Sequence, residues 1–232
     1  QLRTPLSAIK WVFSLLLGGD AGTLTDEQKG LVEKGQLSNE RMIRLVNDLL
    51  DVVRIEEGRF NYTFKLTSPV DVIQKTIQEW RLAAEQKGLL ILFHQSKEEI
   101  PKIYLDEDKF RLALANIMDN AIHYTPPGGS IGVTVSSDKK TLHIVIRDTG
   151  IGISKTEFSR LFTKFFRGAK AQRMNTIGSG LGLFIVKNII EKHQGQIFID
   201  SKEREGTTVH LVFPLKFVYN QQQKQSTFWN RI

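Results

Sequence analysis

The sequence predicts an α+β chain in two parts: an N-terminal antiparallel helical hairpin, then a two-layer α/β sandwich. Three observations carry this prediction. Residues 1–58 set apolar side chains at helical spacing in two runs, separated by Gly18-Gly19-Asp20-Ala21-Gly22. From Phe60 onward the pattern changes to short alternating runs interleaved with helical ones, the signature of mixed strands and helices. The 232 residues, 41% hydrophobic and 25% charged, have the balance of a folded protein and the length of one large domain or a small domain joined to a medium one.

In the first part, Leu2, Leu6, Ile9, Val12, Phe13 and Leu16 recur at helical spacing. Thr25 with Gln28 three residues later is a capping-box start for a second helix. Met42, Leu45, Leu49 and Val52 then form an a/d seam that extends back to Leu31, and Gly58 supplies the stop. A hairpin of this size buries its stripe poorly alone, so it is expected to form a dimeric four-helix bundle; packing of the stripe against the rest of the chain is the alternative.

The second part reads in order as a strand over 59–66, a helix over 70–87 and a strand over 89–94. A helix over 106–123 follows, then strands over 130–136 and 141–147 joined by a polar turn. A helix over 181–193 and strands over 196–201 and 207–213 complete it, giving helices on one face of a mixed sheet. The expected domains are therefore 1–58, 59–216 and a polar, Gln-rich tail over 217–232.

Composition narrows the chemistry. There is no cysteine, which excludes a disulfide framework, thiol catalysis and Cys-type zinc sites. No apolar run reaches the roughly 18–20 residues of a membrane-spanning helix. The chain opens on Gln1 without a signal peptide and reads as a piece of a longer protein, so membrane attachment is expected only through an upstream segment. Charge is uneven: residues 1–58 hold 7 basic and 9 acidic side chains, while the remainder hold 25 and 16, net +9. That excess suits a polyanionic partner or simple solubility.

Three clusters in the second part bear chemistry. Asn116, Asn120 and His123, followed by Tyr124, share one face of a helix at i, i+4, i+7, where carboxamides can meet phosphate oxygens or a hard cation. Asp148-Thr149-Gly150-Ile151-Gly152-Ile153 closes a strand, with a carboxylate able to accept from an exocyclic amine and glycines that let a planar ring approach; a plain turn has the same composition. Gly178-Ser179-Gly180-Leu181-Gly182-Leu183 opens a helix and offers amides to an anion, though it is neither a Walker loop nor a Rossmann fingerprint. Between the last two, Phe165-Phe166-Arg167-Gly168 leads into a basic stretch without periodicity that reads as a mobile flap or a plain surface loop.

Together, in this order and spacing, these clusters resemble the N, G1, F and G2 boxes of the ATP-binding domain shared by sensor histidine kinases, Hsp90-type chaperones, gyrase-type topoisomerases and MutL-type repair proteins. The Phe165-Phe166-Arg167 element and the run from Leu181 to Val186 are most similar to the histidine kinases. Gln1-Leu2-Arg3-Thr4-Pro5-Leu6 in turn resembles their H box without its first residue, so the resemblance covers about residues 1–216.

The resemblance implies an activity and its residues. ATP and Mg²⁺ are the implied cofactors. Asp148 would accept from the adenine amino group, Gly150 and Gly152 would leave room for the base, Tyr124 would stack on or flank it, and Ile153 and Phe166 would also belong to the nucleotide site. Asn120 would supply an oxygen to Mg²⁺, with Asn116 and His123 near the phosphates. Arg167 and the lid following it would approach the γ-phosphate side, Gly178, Gly180 and Gly182 would wrap the phosphates with backbone amides, and Ser179, Leu181 and Leu183 between them would also bind the nucleotide. Thr207 would support Asp148. Thr4 would position water for dephosphorylating a response-regulator receiver domain, the implied partner beside a second copy of the chain. The acceptor histidine would immediately precede Gln1, and Gln1 replaces the acidic residue usual after it; an amide cannot take up the imidazole proton. His94, His143, His193 and His210 are assigned structural roles. The implied function is thus the cytoplasmic catalytic core of a two-component histidine kinase. The alternatives are a nucleotide-binding pseudokinase or scaffold, and an ATPase clamp. Nucleic acid is not an expected partner, since no recognition helix or aromatic platform is present.

Overall fold

The computed structural model describes residues 3–174 and 178–216. In chain order its elements are α1 (Arg3–Gly18), α2 (Asp26–Glu56), β1 (Lys65–Thr67), α3 (Pro69–Gln86), β2 (Leu90–Gln95), β3 (Ile103–Leu105), α4 (Glu107–Tyr124), β4 (Ser130–Ser137), β5 (Thr141–Asp148), a 3₁₀ turn (Lys155–Arg160), α5 (Ala169–Met174), α6 (Gly182–Lys192), β6 (Gln196–Lys202) and β7 (Gly206–Pro214). They divide into two compact units. One comprises Gln1–Phe60 with Lys164–Leu181, the other Asn61–Thr163 with Gly182–Ile232. The segment read as a flap thus groups with the helices. The expected tail over 217–232 and Gln1 lie outside the described residues.

The first unit is built on the α1–α2 hairpin. Thr25 caps α2 as its sequence predicts: its hydroxyl accepts from Gln28 N–H at 3.3 Å and its own N–H donates to Gln28 Oε1 at 2.9 Å. Asn39, 1% exposed, donates to the Leu6 carbonyl at 2.9 Å, and Lys10 pairs with Glu40 at 3.1 Å. The Phe13 ring lies over Gly35, where a Cβ would come within 2.8 Å of it; around Gly30 a Cβ would meet nothing within 4 Å. The seam behaves as an unpartnered face. Leu31, Met42, Leu45 and Leu49 are 44–64% exposed, and only Val52 is buried.

In the second unit five strands run in the order β2-β4-β5-β7-β6, with β2 parallel to β4 and the other pairs antiparallel; β1 and β3 form a separate antiparallel pair. Alternation fixes the core face. Ile131, Val133 and Val135 of β4, Leu142, Ile144 and Ile146 of β5, and Val209, Leu211 and Phe213 of β7 are all buried. Their partners are the buried stripes of the helices, including Ile73 and Ile77 of α3, Phe110, Leu114 and Ile117 of α4, and Ile185 and Ile189 of α6. Phe110 meets Phe213 edge-on, with ring centres 5.7 Å apart. This is the expected sandwich. The polar turn between β4 and β5 is closed by Asp138, whose carboxylate accepts from the N–H groups of Lys140 and Thr141.

Two expectations change. The strand read over 59–66 is in register only from Lys65. Before it, the Thr63 N–H is taken by the Asp106 carboxylate instead of a neighbouring strand, so the alternating residues are held without a ladder. β3 and α5 carry no periodicity long enough to read: β3 falls between the expected strand over 89–94 and helix over 106–123, and α5 within the basic stretch after Arg167.

Candidate functional site

Asp148 ends β5 opposite Thr207 of β7, which itself faces Ser201 of β6. The three side chains therefore form one row across adjacent strands. Asp148 is 8% exposed. Its Oδ1 accepts from Gly150 N–H at 2.8 Å and Thr207 N–H at 3.1 Å. Burial raises the carboxyl's pKa above its ordinary value, and these two donors oppose the rise. With Oδ1 committed to the backbone, Oδ2 is the acceptor left for a ligand's N–H.

The glycines around it are required by close approach. A Cβ on Gly150 would lie 2.6 Å from Asp148 Oδ1 and 2.7 Å from the Tyr124 carbonyl, and one on Gly206 would lie 1.9 Å from the Asp148 carbonyl. Gly152 combines φ of +66° with the same crowding, 1.9 Å from the Lys202 carbonyl. The loop is pinned by Ile151 N–H to the Tyr124 carbonyl at 3.1 Å and by Ile153 N–H to Ser201 Oγ at 2.9 Å. Ser201 Oγ also donates to the Gly206 carbonyl at 2.8 Å and lies 2.9 Å from Thr207 Oγ1. So Thr207 meets Asp148 through its backbone and Ser201 through its side chain. Sequence reasoning passed over Ser201. Its signal is register: a hydroxyl six residues before Thr207, across the β6–β7 hairpin.

α4 supplies the second wall. Asp106 caps its start, accepting from Lys109 N–H at 2.9 Å. Asn116 donates from Nδ2 to the Leu112 carbonyl at 3.0 Å, which turns its Oδ1 toward Gly182 at the first turn of α6; a Cβ there would approach it to 2.8 Å. Asn120 is half-buried one turn further along, and His123 meets Tyr124 edge-on with ring centres 5.7 Å apart. Gly182 and Leu183 open α6, whose first-turn N–H groups have no acceptor within the helix itself. Lys87, also unforeseen, donates to the carbonyls of Ile122 and His123 at 2.7 Å each and so closes the C-terminus of α4. Burial lowers the Lys87 pKa.

The remaining candidates fall in the first unit. Thr4 is exposed in the first turn of α1. Arg167 Nη2 donates to the Ala171 carbonyl at 3.2 Å, and Gln172 Nε2 donates to the Arg167 carbonyl at 2.9 Å, which folds α5 back on the segment before it. The ends of this segment converge: a Cβ on Gly180, at φ +68°, would lie 2.7 Å from Phe165 and 2.8 Å from the Phe166 carbonyl, and one on Gly178 would lie 3.4 Å from Arg167 Nε. Ser179 Oγ donates to Asp48 Oδ2 of α2 at 2.8 Å and accepts from Leu181 N–H at 3.2 Å, while Leu181 itself is buried.

A nucleotide with magnesium fits the residues of the second unit. A buried carboxylate with one free oxygen beside glycines that leave no room for side chains suits the edge of a purine bearing an amino group. Among the described residues no three His, Cys, Asp or Glu are gathered to hold a metal ion. A hard cation here would take its oxygens from Asn120 and from the phosphates it accompanies, which is the usual habit of Mg²⁺. Among the described residues no helix is long and apolar enough to cross a membrane.

Residues 105–217 match the family of histidine kinase-, DNA gyrase B- and HSP90-like ATPases, and residues 1–58 match the His Kinase A (phospho-acceptor) domain. Sensor histidine kinase WalK of Bacillus subtilis is 33% identical over 93% of this chain and 35% of its own length. The non-motile and phage-resistance protein of Caulobacter vibrioides is 32% identical over 93% of this chain and 26% of its own. The chain thus spans about a third or less of these curated relatives. Among solved structures, full-length ShkA in complex with AMPPNP superposes with a TM-score of 0.75 at 24% identity, covering 94% of this chain and 45% of that one. The mycobacterial sensor histidine kinase MprB gives 0.56 at 29% identity, covering 66% and 97%.

Proposed function

This chain belongs to the two-component sensor histidine kinases, of which it forms the catalytic core, and we propose that it binds Mg-ATP, phosphorylates a histidine on the helical hairpin and passes the phosphoryl group to a receiver-domain aspartate. The observation that carries this reading is Asp148, buried at a strand end with Oδ1 saturated by two backbone donors and Oδ2 left over. The AMPPNP named with ShkA supports a nucleotide in the same fold.

The chain's own residues divide the work. Asp148 selects the base; Asn116, Asn120 and the first-turn amides of α6 hold the phosphates. Magnesium, when bound, neutralises charge on the transferring group. Phosphoryl transfer asks the protein mainly for positioning and charge compensation. Arg167 and the glycines at 178 and 180 supply the flap over the γ-phosphate, and Thr4 orients water when the receiver is dephosphorylated. The acceptor is assigned to the position preceding Gln1. Two copies of residues 1–58 pair along the exposed seam of Leu31, Met42, Leu45 and Leu49. The activity is placed in the cytoplasm.

The test is protein-bound phosphate after incubation with Mg-ATP, on a polypeptide extended upstream of Gln1 and on the 232-residue chain. Acid-labile, alkali-stable phosphate on the extended form is the expected result. Nucleotide binding without any labelling would turn the reading to a pseudokinase scaffold.

A further inference from the structure

We propose that His193 is a positioning residue for the nucleotide site: it pins the C-terminal end of α6 to the N-terminal end of α4, and this sets how Gly182 meets the Asn116 and Asn120 face. The inference rests on the nucleotide reading of that face.

Every polar atom in the pin is used. His193 is 2% exposed, and its Nδ1 lies 2.7 Å from the Ile189 carbonyl, to which it must donate because a carbonyl only accepts. Nε2 is then a lone pair, and it accepts the Asp106 N–H at 3.0 Å. The Asp106 carboxylate takes the next steps: Oδ1 caps α4 through Lys109 N–H, and Oδ2 accepts from Thr63 N–H. Around the ring, Phe64 and Tyr62 pack edge-on at 5.0 and 5.9 Å and Phe110 lies 6.3 Å away. The imidazole therefore cannot swing away from Asp106 while the packing holds.

Helix geometry carries the pin to the site. At 1.5 Å per residue, Asp106 to Asn116 spans about 15 Å along α4, and His193 back to Gly182 spans about 16 Å along α6. The helices run antiparallel, so one fixed end determines what meets at the other. There the tolerance is narrow, since a single Cβ at position 182 would fall 2.8 Å from Asn116 Oδ1. A slip of one residue's rise would move the first-turn amides of α6 off the carboxamide face. An apolar residue at 193 would fill the same space without fixing this register.

Protonation undoes the pin, because an imidazolium would set an N–H against the Asp106 N–H. The titratable groups facing the ring are the Asp106 carboxylate, from the cap of α4, and the Tyr62 phenol. Burial keeps the imidazole neutral at ordinary pH, against smaller opposing effects of the Ile189 carbonyl and Asp106.

The experiment measures affinity for a fluorescent ATP analogue with Mg²⁺, at temperatures where circular dichroism shows each variant folded. His193→Gln places an amide oxygen near the Nε2 position without titrating, and His193→Leu fills the volume with no acceptor. Wild type should bind and His193→Gln should stay within ~3-fold of it, while His193→Leu loses ~10-fold or more, the scale of one buried hydrogen bond and the donor it strands. Wild-type affinity should also fall on acidification from pH 7 to 5.5 more steeply than that of His193→Gln. Normal affinity in folded His193→Leu would overturn the proposal. If that variant does not fold, coincident pH profiles for wild type and His193→Gln would overturn it instead. Absence of binding by wild type would be a failure of the nucleotide reading itself.

Discussion

The backbone N–H of Thr207 donates to Oδ1 of Asp148 at 3.1 Å, across the pair of residues that face each other on β7 and β5. Together with the Gly150 N–H it fixes which carboxylate oxygen belongs to the protein and which remains for a ligand. Asp148→Asn keeps an oxygen at the Oδ1 position and places an NH₂ at the other. A donor then confronts the donor of the base, and affinity for ATP should fall by ~10–100-fold, the range for a buried hydrogen bond turned repulsive. Stability should move the other way. Burial raises the folded carboxyl's pKa, so the charged form costs stability that is present at low pH and lost as pH rises above 3.8. Isothermal titration calorimetry and thermal melts at pH 7.5 should show weaker binding in a protein at least as stable as wild type.

Asn120 makes a cleaner test of the cation. It is half-buried on α4, where alanine is the better helix former by up to ~0.7 kcal/mol, so Asn120→Ala should leave the helix intact. Nucleotide affinity measured against added Mg²⁺ should rise in wild type and stay flat in the variant. A variant as responsive to Mg²⁺ as wild type would remove Asn120 from the metal's ligands.

The seam on α2 predicts an assembly. Leu45 and Leu49 are 47% and 44% exposed in the single chain, so replacing both by lysine disturbs little within it. Across a bundle the same change buries charge against a second copy. Sedimentation equilibrium should give a dimer for the wild type and a monomer for Leu45→Lys/Leu49→Lys, with helical content retained.

His193 predicts a dependence of stability on acid. Its folded pKa lies below the ordinary 6.5, so the unfolded chain binds the proton first as pH falls. Stability is fully present above 6.5 and declines below it, until the folded form also titrates. Denaturant midpoints at pH 7.5, 6.0 and 5.0 should drop for wild type by more than for His193→Gln.

What the sequence disclosed was local. The capping box at Thr25 and Gln28 is complete within four residues, and it is found as read. The Asn116–Tyr124 face and the Asp148 loop are likewise contiguous, so their spacing survives as geometry. Lys87 and the Asp106–His193 pair were not readable because each acts across 35 or more residues, whereas Ser201 is legible only once the register of the β6–β7 hairpin is known. The segment at 61–64 shows the reverse error: alternation promised a ladder, but a carboxylate took the N–H that a strand would have used.

The two glycines early in α2 differ in what they are for. Each costs a helix interior about 1 kcal/mol relative to alanine, so the first three turns beyond Thr25 are its softest stretch. Gly35 is held there by the Phe13 ring, whereas Gly30 has open space where a methyl group would sit. Amide protons near Gly30 should therefore exchange with solvent sooner than those near Val52, and Gly30→Ala should slow them where Gly35→Ala should not. By the same reasoning, opening of the hairpin is expected to start at its turn end, beside Gly30, rather than at Val52.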